Sequence, residues 1–163
     1  MTPFNVISKM FGPYTFSPTS RETLGEKMEY YFHDHQFMGL FVQENYLKGQ
    51  PAKLRNLSGP ERELEQLRLM DKAATSISEG DLVDSLIHGP EQHWSLMPLH
   101  AVVSFVRPAS FLYGSMQAYG PGGNSISFPQ YVFQLWVQHL YTLTLWQMAW
   151  SELEAEQAAA AVG

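Results

Sequence analysis

Glycine and proline fall together along this chain and divide it into pieces of helical length: Gly12-Pro13, Gly49-Gln50-Pro51, Gly59-Pro60, Gly89-Pro90, Pro108 and Gly120-Pro121-Gly122-Gly123. Proline fixes φ and has no N–H to donate, and glycine enters left-handed backbone without strain. Each mark is therefore a place for a helix to start or stop. Between the marks, apolar residues recur at spacings of three and four, the period of a helix that buries one face. An all-α fold is the expectation.

Thr2 caps and Pro3 opens a first short helix through Phe4, Val6, Ile7 and Met10, which Gly12-Pro13 stops. Thr19 or Ser20 caps a second helix whose stripe is Leu24, Met28, Tyr31 and Phe32. His33-Asp34-His35 breaks that stripe. Leu40 to Tyr46 reads as a helix, with a short strand as the alternative. Gly59-Pro60-Glu61 opens the clearest helix, with Leu64, Leu67, Leu69, Ala73, Ala74 and Ile77 interleaved with charge. Gly80 is placed to stop it and Asp81 to cap a shorter helix, Leu82 to Ile87, so a helical hairpin is expected there. Glu91 to Val106 forms another packed helix through Trp94, Leu96, Leu99, Val102, Val103 and Val106, with Pro98 in its first turn and Pro108 as its end. A Gly/Pro-rich loop follows from Tyr113 to Pro129. Tyr131 to Trp150 contains no Asp, Glu, Lys or Arg, and the alanine-rich end beyond it is a strong helix former.

At 163 residues and 45% hydrophobic, the chain suits one globular domain. Its 10 Lys and Arg against 16 Asp and Glu give a net charge of −6, which argues against long-range attraction to phosphate backbones. With no cysteine, disulfides, thiol catalysis and thiolate metal sites are excluded. Met1 to Ser20 carries only Lys9 before an apolar run broken by prolines, which is no signal peptide.

His33, Asp34 and His35 offer imidazole and carboxylate, the metal-ligand types left once cysteine is absent. Neighbours in sequence point different ways, however, and His88, His93, His100 and His139 are scattered, so capping or surface roles are the better reading and no metal is expected. Glu61, Glu63, Glu65 and Asp71 have the spacing of a solvated helix face, not of an acid–base pair. No phosphate cradle of the GxxxxGK[ST] type and no GxSxG elbow occurs, and Ser76, Ser78 and Ser85 read as helix-face or cap residues, so neither catalysis nor a small-molecule substrate is expected.

Gln43, Glu44 and Asn45 lie between Phe41-Val42 and Tyr46-Leu47, so at least one polar side chain is carried close to apolar surface, where it needs hydrogen bonds. They either tie neighbouring backbone or serve a subunit contact. The charge-free run is long enough for about 30 Å of helix, the thickness of a bilayer core. Gln134, Gln138, His139 and Gln147 count against lipid burial, and no Lys or Arg cluster flanks the run. A buried or partner-covered helix is preferred, with a membrane-associated protein anchored by residues 131–150 as the alternative.

Several of these segments, taken together, resemble a known family. Phe32-His33-Asp34, Leu40-Phe41-Val42-Gln43-Glu44-Asn45-Tyr46-Leu47, Ala73-Ala74, Ser76-Ile77, Gly80-Asp81-Leu82-Val83-Asp84 and Trp94-Ser95-Leu96-Met97-Pro98 are similar in order and spacing to the C-terminal region of replication factor C large subunits, the eukaryotic clamp loaders. The likeness covers about residues 2–129. It implies an all-helical, collar-type bundle of about five to seven helices, with a Gly/Pro-rich loop before the last one. It further implies an exit helix and linker from an AAA+ lid at 1–18, a collar domain at 19–129 and, because Gln130-Tyr131-Val132-Phe133 departs from the family's continuation, a divergent helical tail at 130–163.

By the same resemblance, the partners are the clamp loader's small subunits, with the sliding clamp and primer–template DNA reached only through the assembled complex, in the nucleus. ATP and Mg belong to the family's ATPase domain and are expected to have no site in this chain. The residues implied as interface or structural motif are Phe32, Asp34, Leu40, Phe41, Gln43, Glu44, Asn45, Tyr46, Asp81, Asp84 and Trp94. Phe32, Leu40, Phe41, Tyr46 and Trp94 are the expected core anchors, with Gln43, Glu44 and Asn45 as polar ties.

Overall fold

The computed structural model describes residues 1–117 and 126–130; the glycine-rich stretch 118–125 and the run 131–163, including the membrane alternative, lie outside the described residues. The chain divides into two compact units, Met1–Pro129 and Gln130–Gly163, and the first is described below.

Helix α1, Pro3–Met10, starts as its sequence dictates, with the Thr2 hydroxyl accepting the Asn5 N–H at 3.3 Å. Val6, Ile7, Met10 and the following Phe11 are fully buried and join the core that the later helices form. Helix α2, Leu24–Phe32, begins later than expected. Its cap is Thr23, reciprocally bonded with Glu26, while the Ser17 and Thr19 hydroxyls bond each other at 2.9 Å and the Ser20 hydroxyl takes the Glu22 N–H at 3.3 Å. After the break at His33-Asp34, α3 runs His35–Asn45, a helix and not a strand.

A turn of 3₁₀ helix leads into β1, Gly49–Pro51, which pairs antiparallel with β2, Gly114–Met116, in the register Gly49–Met116, Gln50–Ser115, Pro51–Gly114. Gly114 sits at φ +155° with its α-carbon against β1, where an added Cβ would come within 2.3 Å of the Gln50 carbonyl oxygen.

Helix α4 runs without interruption from Gly59 to His88, so Gly80 is no stop, Asp81 caps nothing, and the expected hairpin does not form. Gly80 is buried at a helix crossing instead: a Cβ there would lie 2.9 Å from the Cβ of Ser104. The glycine lets two backbones approach, and the surrounding helix supplies the backbone bonds that a lone propensity argument would withhold.

The helix that crosses it spans Trp94–Leu112 and is likewise longer than expected. It consists of a 3₁₀ turn, Trp94–Leu96, then α5, Met97–Ala101, a π turn, Val102–Val106, and α6, Arg107–Leu112. Pro98 sits in the first turn of α5, but Pro108 continues the helix. The π turn explains how. The Arg107 N–H is drawn back to the Val102 carbonyl, five residues away, so the Val103 carbonyl would next look to residue 108, a proline with no N–H. The Ser76 hydroxyl of α4 donates to that orphaned Val103 oxygen at 2.6 Å, with Ser76 fully buried. Replacing Ser76 with alanine is expected to lower stability by about 1–2 kcal/mol, the range for leaving a buried carbonyl unpaired, measured by urea denaturation.

The fold is therefore all-α, with one small ladder among the described residues. Its core gathers Val6, Ile7, Met10 and Phe11 from the first segment, Tyr31, Met38, Phe41 and Val42 from α2 and α3, and Phe105 and Leu112 from the last helix, around the Leu69–Ala73–Ile77 face of α4.

Candidate functional site

The Phe41–Tyr46 box is where the sequence's awkward polar residues resolve. Phe41 is buried, with the ring of Phe4 meeting it edge-on at 5.2 Å and that of Phe128 at 5.7 Å. One turn on, Asn45 is fully buried and satisfied at both ends of its amide. Its Nδ2 donates to the carbonyls of Phe41 at 2.9 Å and Ser127 at 2.8 Å. Its Oδ1 accepts the Ser127 N–H at 2.7 Å and the Lys48 ammonium at 3.0 Å. Lys48 also donates to the Ser127 hydroxyl at 2.5 Å, and burial lowers its pKa against the opposing pull of Glu44. Asn45 thus clamps the 126–129 segment onto α3.

The neighbours expected to share that work do not. Gln43 is exposed and Glu44 half-buried, because on a helix they point a hundred degrees or more away from Asn45. Leu40, Tyr46 and Asp34 are half-buried, and Asp34 makes no side-chain cap bond. Two expected core anchors lie at the surface: Phe32 is 44% exposed and Trp94 51%. In α2 the buried position belongs to Tyr31, against which Phe32 packs edge-on at 5.3 Å. Trp94, in the opening 3₁₀ turn, meets the ring of His88 at 5.3 Å.

Sequence reading missed a second constellation. The hydroxyl of Tyr31, on α2, lies 2.6 Å from His100 Nδ1, on α5. His100 Nε2 is 3.8 Å from Asp84 Oδ1, on α4, and the same oxygen is 3.2 Å from His88 Nδ1. Burial holds the His100 imidazole below its ordinary value of 6.5, against the opposing charge of Asp84. Burial, and then the Asp84 charge, push the Tyr31 phenol up, and partial desolvation at the surface, followed by the Asp84 charge, raises Asp81. No local signal marks this set, since Tyr31 and His100 are 69 residues apart. With Tyr31 only 1% exposed, the chain of contacts ties α2 to α4 and α5.

On the far side of α4 the apolar pattern turns outward. Leu64, Leu67, Leu82 and Leu86 are 51%, 64%, 69% and 52% exposed, and at about 100° per residue they occupy the side opposite buried Ala73, Ser76 and Gly80. The outer side of this 30-residue helix thus carries two exposed leucine pairs, Leu64/Leu67 near its start and Leu82/Leu86 near its end, with exposed Arg68, Asp71, Thr75 and Ser78 between them.

These features define a helical packing domain, with Asn45, Ser76 and the Tyr31–His100 pair bonded between segments and, on the longest helix among the described residues, two leucine pairs left exposed. Residues 77–153 match the family described as Replication factor RFC1 C terminal domain. Among curated relatives, Replication factor C subunit 1 of Schizosaccharomyces pombe is 50% identical over 115 residues, 71% of this chain and 12% of that protein. Its namesake in Saccharomyces cerevisiae is 40% identical over 118 residues, 71% of this chain and 13% of that protein. The Homo sapiens protein of that name is 38% identical over 116 residues, 71% of this chain and 9% of that protein.

The chain belongs to the replication factor C large-subunit family, through that family's C-terminal domain. It spans between 9% and 13% of the length of these relatives. The family match runs from residue 77 to residue 153.

Proposed function

We propose that this domain is a subunit-assembly, or collar, domain of a clamp-loader large subunit. It supports the loading of DNA sliding clamps in replication and repair by packing against the small subunits in the nucleus. The observation that carries this reading is the open leucine side of α4, in a chain whose relatives are each named as one subunit of replication factor C. Each leucine pair, three or four residues apart on one helix side, suits an apolar side chain of a partner helix packed across it, with ridges entering grooves. In this reading the chain itself neither binds nor hydrolyses ATP, and clamp and DNA are met through the assembled complex.

Co-expression with the small subunits of the same clamp loader tests it. The unmodified chain is expected to co-purify with them. The double variant L82E/L86E is expected to reduce capture about tenfold or more, as loss of interface anchors does, while its melting temperature stays unchanged because both residues are exposed. Failure of the unmodified chain to co-purify overturns the assembly role.

A further inference from the structure

The set His88, Asp84, His100 and Tyr31 runs from an exposed imidazole to a buried phenol and joins α2 to α4 and α5, which lie much farther along the chain. We infer that it is a proton-linked latch, which holds α2 against α4 and α5 while His100 is neutral and loosens α2 when His100 takes up a proton.

The geometry prescribes the neutral form. A Tyr31 hydroxyl at 2.6 Å donates to Nδ1 only if that nitrogen keeps its lone pair, which places the ring hydrogen on Nε2, the side of Asp84. Protonation puts a hydrogen on Nδ1 as well. Two donors then face each other, and the phenol must turn its hydrogen away into a site that is 1% exposed, where an unmet donor is costly.

The surroundings of His100 work in both directions. Asp84 and Asp81 of α4 favour the added proton, whereas His88 of α4, His35 of α3 and above all burial oppose it. Burial prevails and the folded-state pKa lies below 6.5. The unfolded chain therefore binds the proton first as pH falls, so the stability contributed by neutral His100 is complete above that value and is lost as pH drops below it. The helix that carries His100 is held against α4 by the close Gly80–Ser104 crossing and the Ser76–Val103 bond, so it is α2 that gives way.

Hydrogen exchange at the amides of residues 24–32, corrected for the intrinsic pH dependence of exchange, reads the latch directly. Between pH 7.5 and pH 5, protection of α2 is expected to fall about tenfold while that of α1 holds. His100→Asn, whose amide oxygen accepts from Tyr31 and which carries no charge at any pH, is expected to keep α2 protected across the range. An α2 whose protection does not change with pH in the unmodified protein overturns the inference, as does an unchanged pH response in H100N.

Should H100N not fold, NMR titration of the His100 ring decides. Tyr31→Phe, which removes a donor to the neutral ring, should raise its pKa, and Asp84→Asn should lower it. Shifts of one sign in both variants, or in neither, would show that the four residues are not coupled.

Discussion

Replacing Asn45 with alanine is expected to destabilise the domain by about 3 kcal/mol, read as a shift in the urea midpoint at constant slope. The truncation leaves the Ser127 N–H and carbonyl without their partner and takes an acceptor from Lys48. Both groups face the fully buried Asn45, on a segment whose Phe128 rests on Phe41 and whose Ser127 is half-buried. Asn45→Asp separates the terms. It keeps an acceptor for the Ser127 N–H and for Lys48, but loses both donations to carbonyls and places a charge at a buried site. A loss of less than about 1 kcal/mol in N45A would show that the clamp is decorative.

Gly80→Val is expected to cost about as much, roughly 3 kcal/mol, at the upper end for overpacking. Two effects compete. A side chain in place of glycine in a helix interior favours the helix by a few tenths of a kcal/mol. Against that, even the first carbon added would stand 2.9 Å from Ser104 Cβ and 3.2 Å from its Cα. The obstruction is partly backbone, so relief requires α4 to move off the π turn, which would also stretch the Ser76 bond to Val103. The clash wins. Gly80→Ala, with the same first carbon and the larger propensity gain, should lose less, and a variant of either kind more stable than the parent would place the helices farther apart than described.

What was legible in advance was local. Thr2-Pro3, Gly59-Pro60 and Gly89-Pro90 bound helices α1 and α4 because a cap or a missing N–H acts within one turn of itself. The α2 start was available in the same way: Thr23 and Glu26 have the spacing of a capping box, and the preference for Thr19 or Ser20 passed over it. Gly80 and Pro108 were misread for the opposite reason. Each is explained by an atom on another helix, Ser104 for the glycine and the Ser76 hydroxyl for the carbonyl that Pro108 leaves unpaired, and local rules see neither partner.

The site divides along the same line. That some polar residue of the Gln43–Asn45 triplet had to be buried and bonded was readable from its apolar flanks. Which one it was depended on the helix phase relative to Ser127, on a segment far along the chain. Phe32 and Trp94 were expected as anchors through the family resemblance, and the helix phases gave that role to Tyr31 and left the tryptophan at the surface. Family resemblance supplied the order of the motifs without the contacts between them.

The Asn45–Ser127 bonds close a loop of 82 residues, whereas Ser76 and Val103 are 27 apart. By chain entropy alone the longer closure costs about 1 kcal/mol more, so it is disfavoured until the helices it joins are already in place. A contact made after the folding barrier leaves the rate of folding almost untouched and appears in the rate of escape. Losing about 3 kcal/mol there shortens the lifetime of the folded domain by about a hundredfold, with refolding as fast as before. Asn45 acts as a timer on the closed state: it sets how long the domain stays folded once formed.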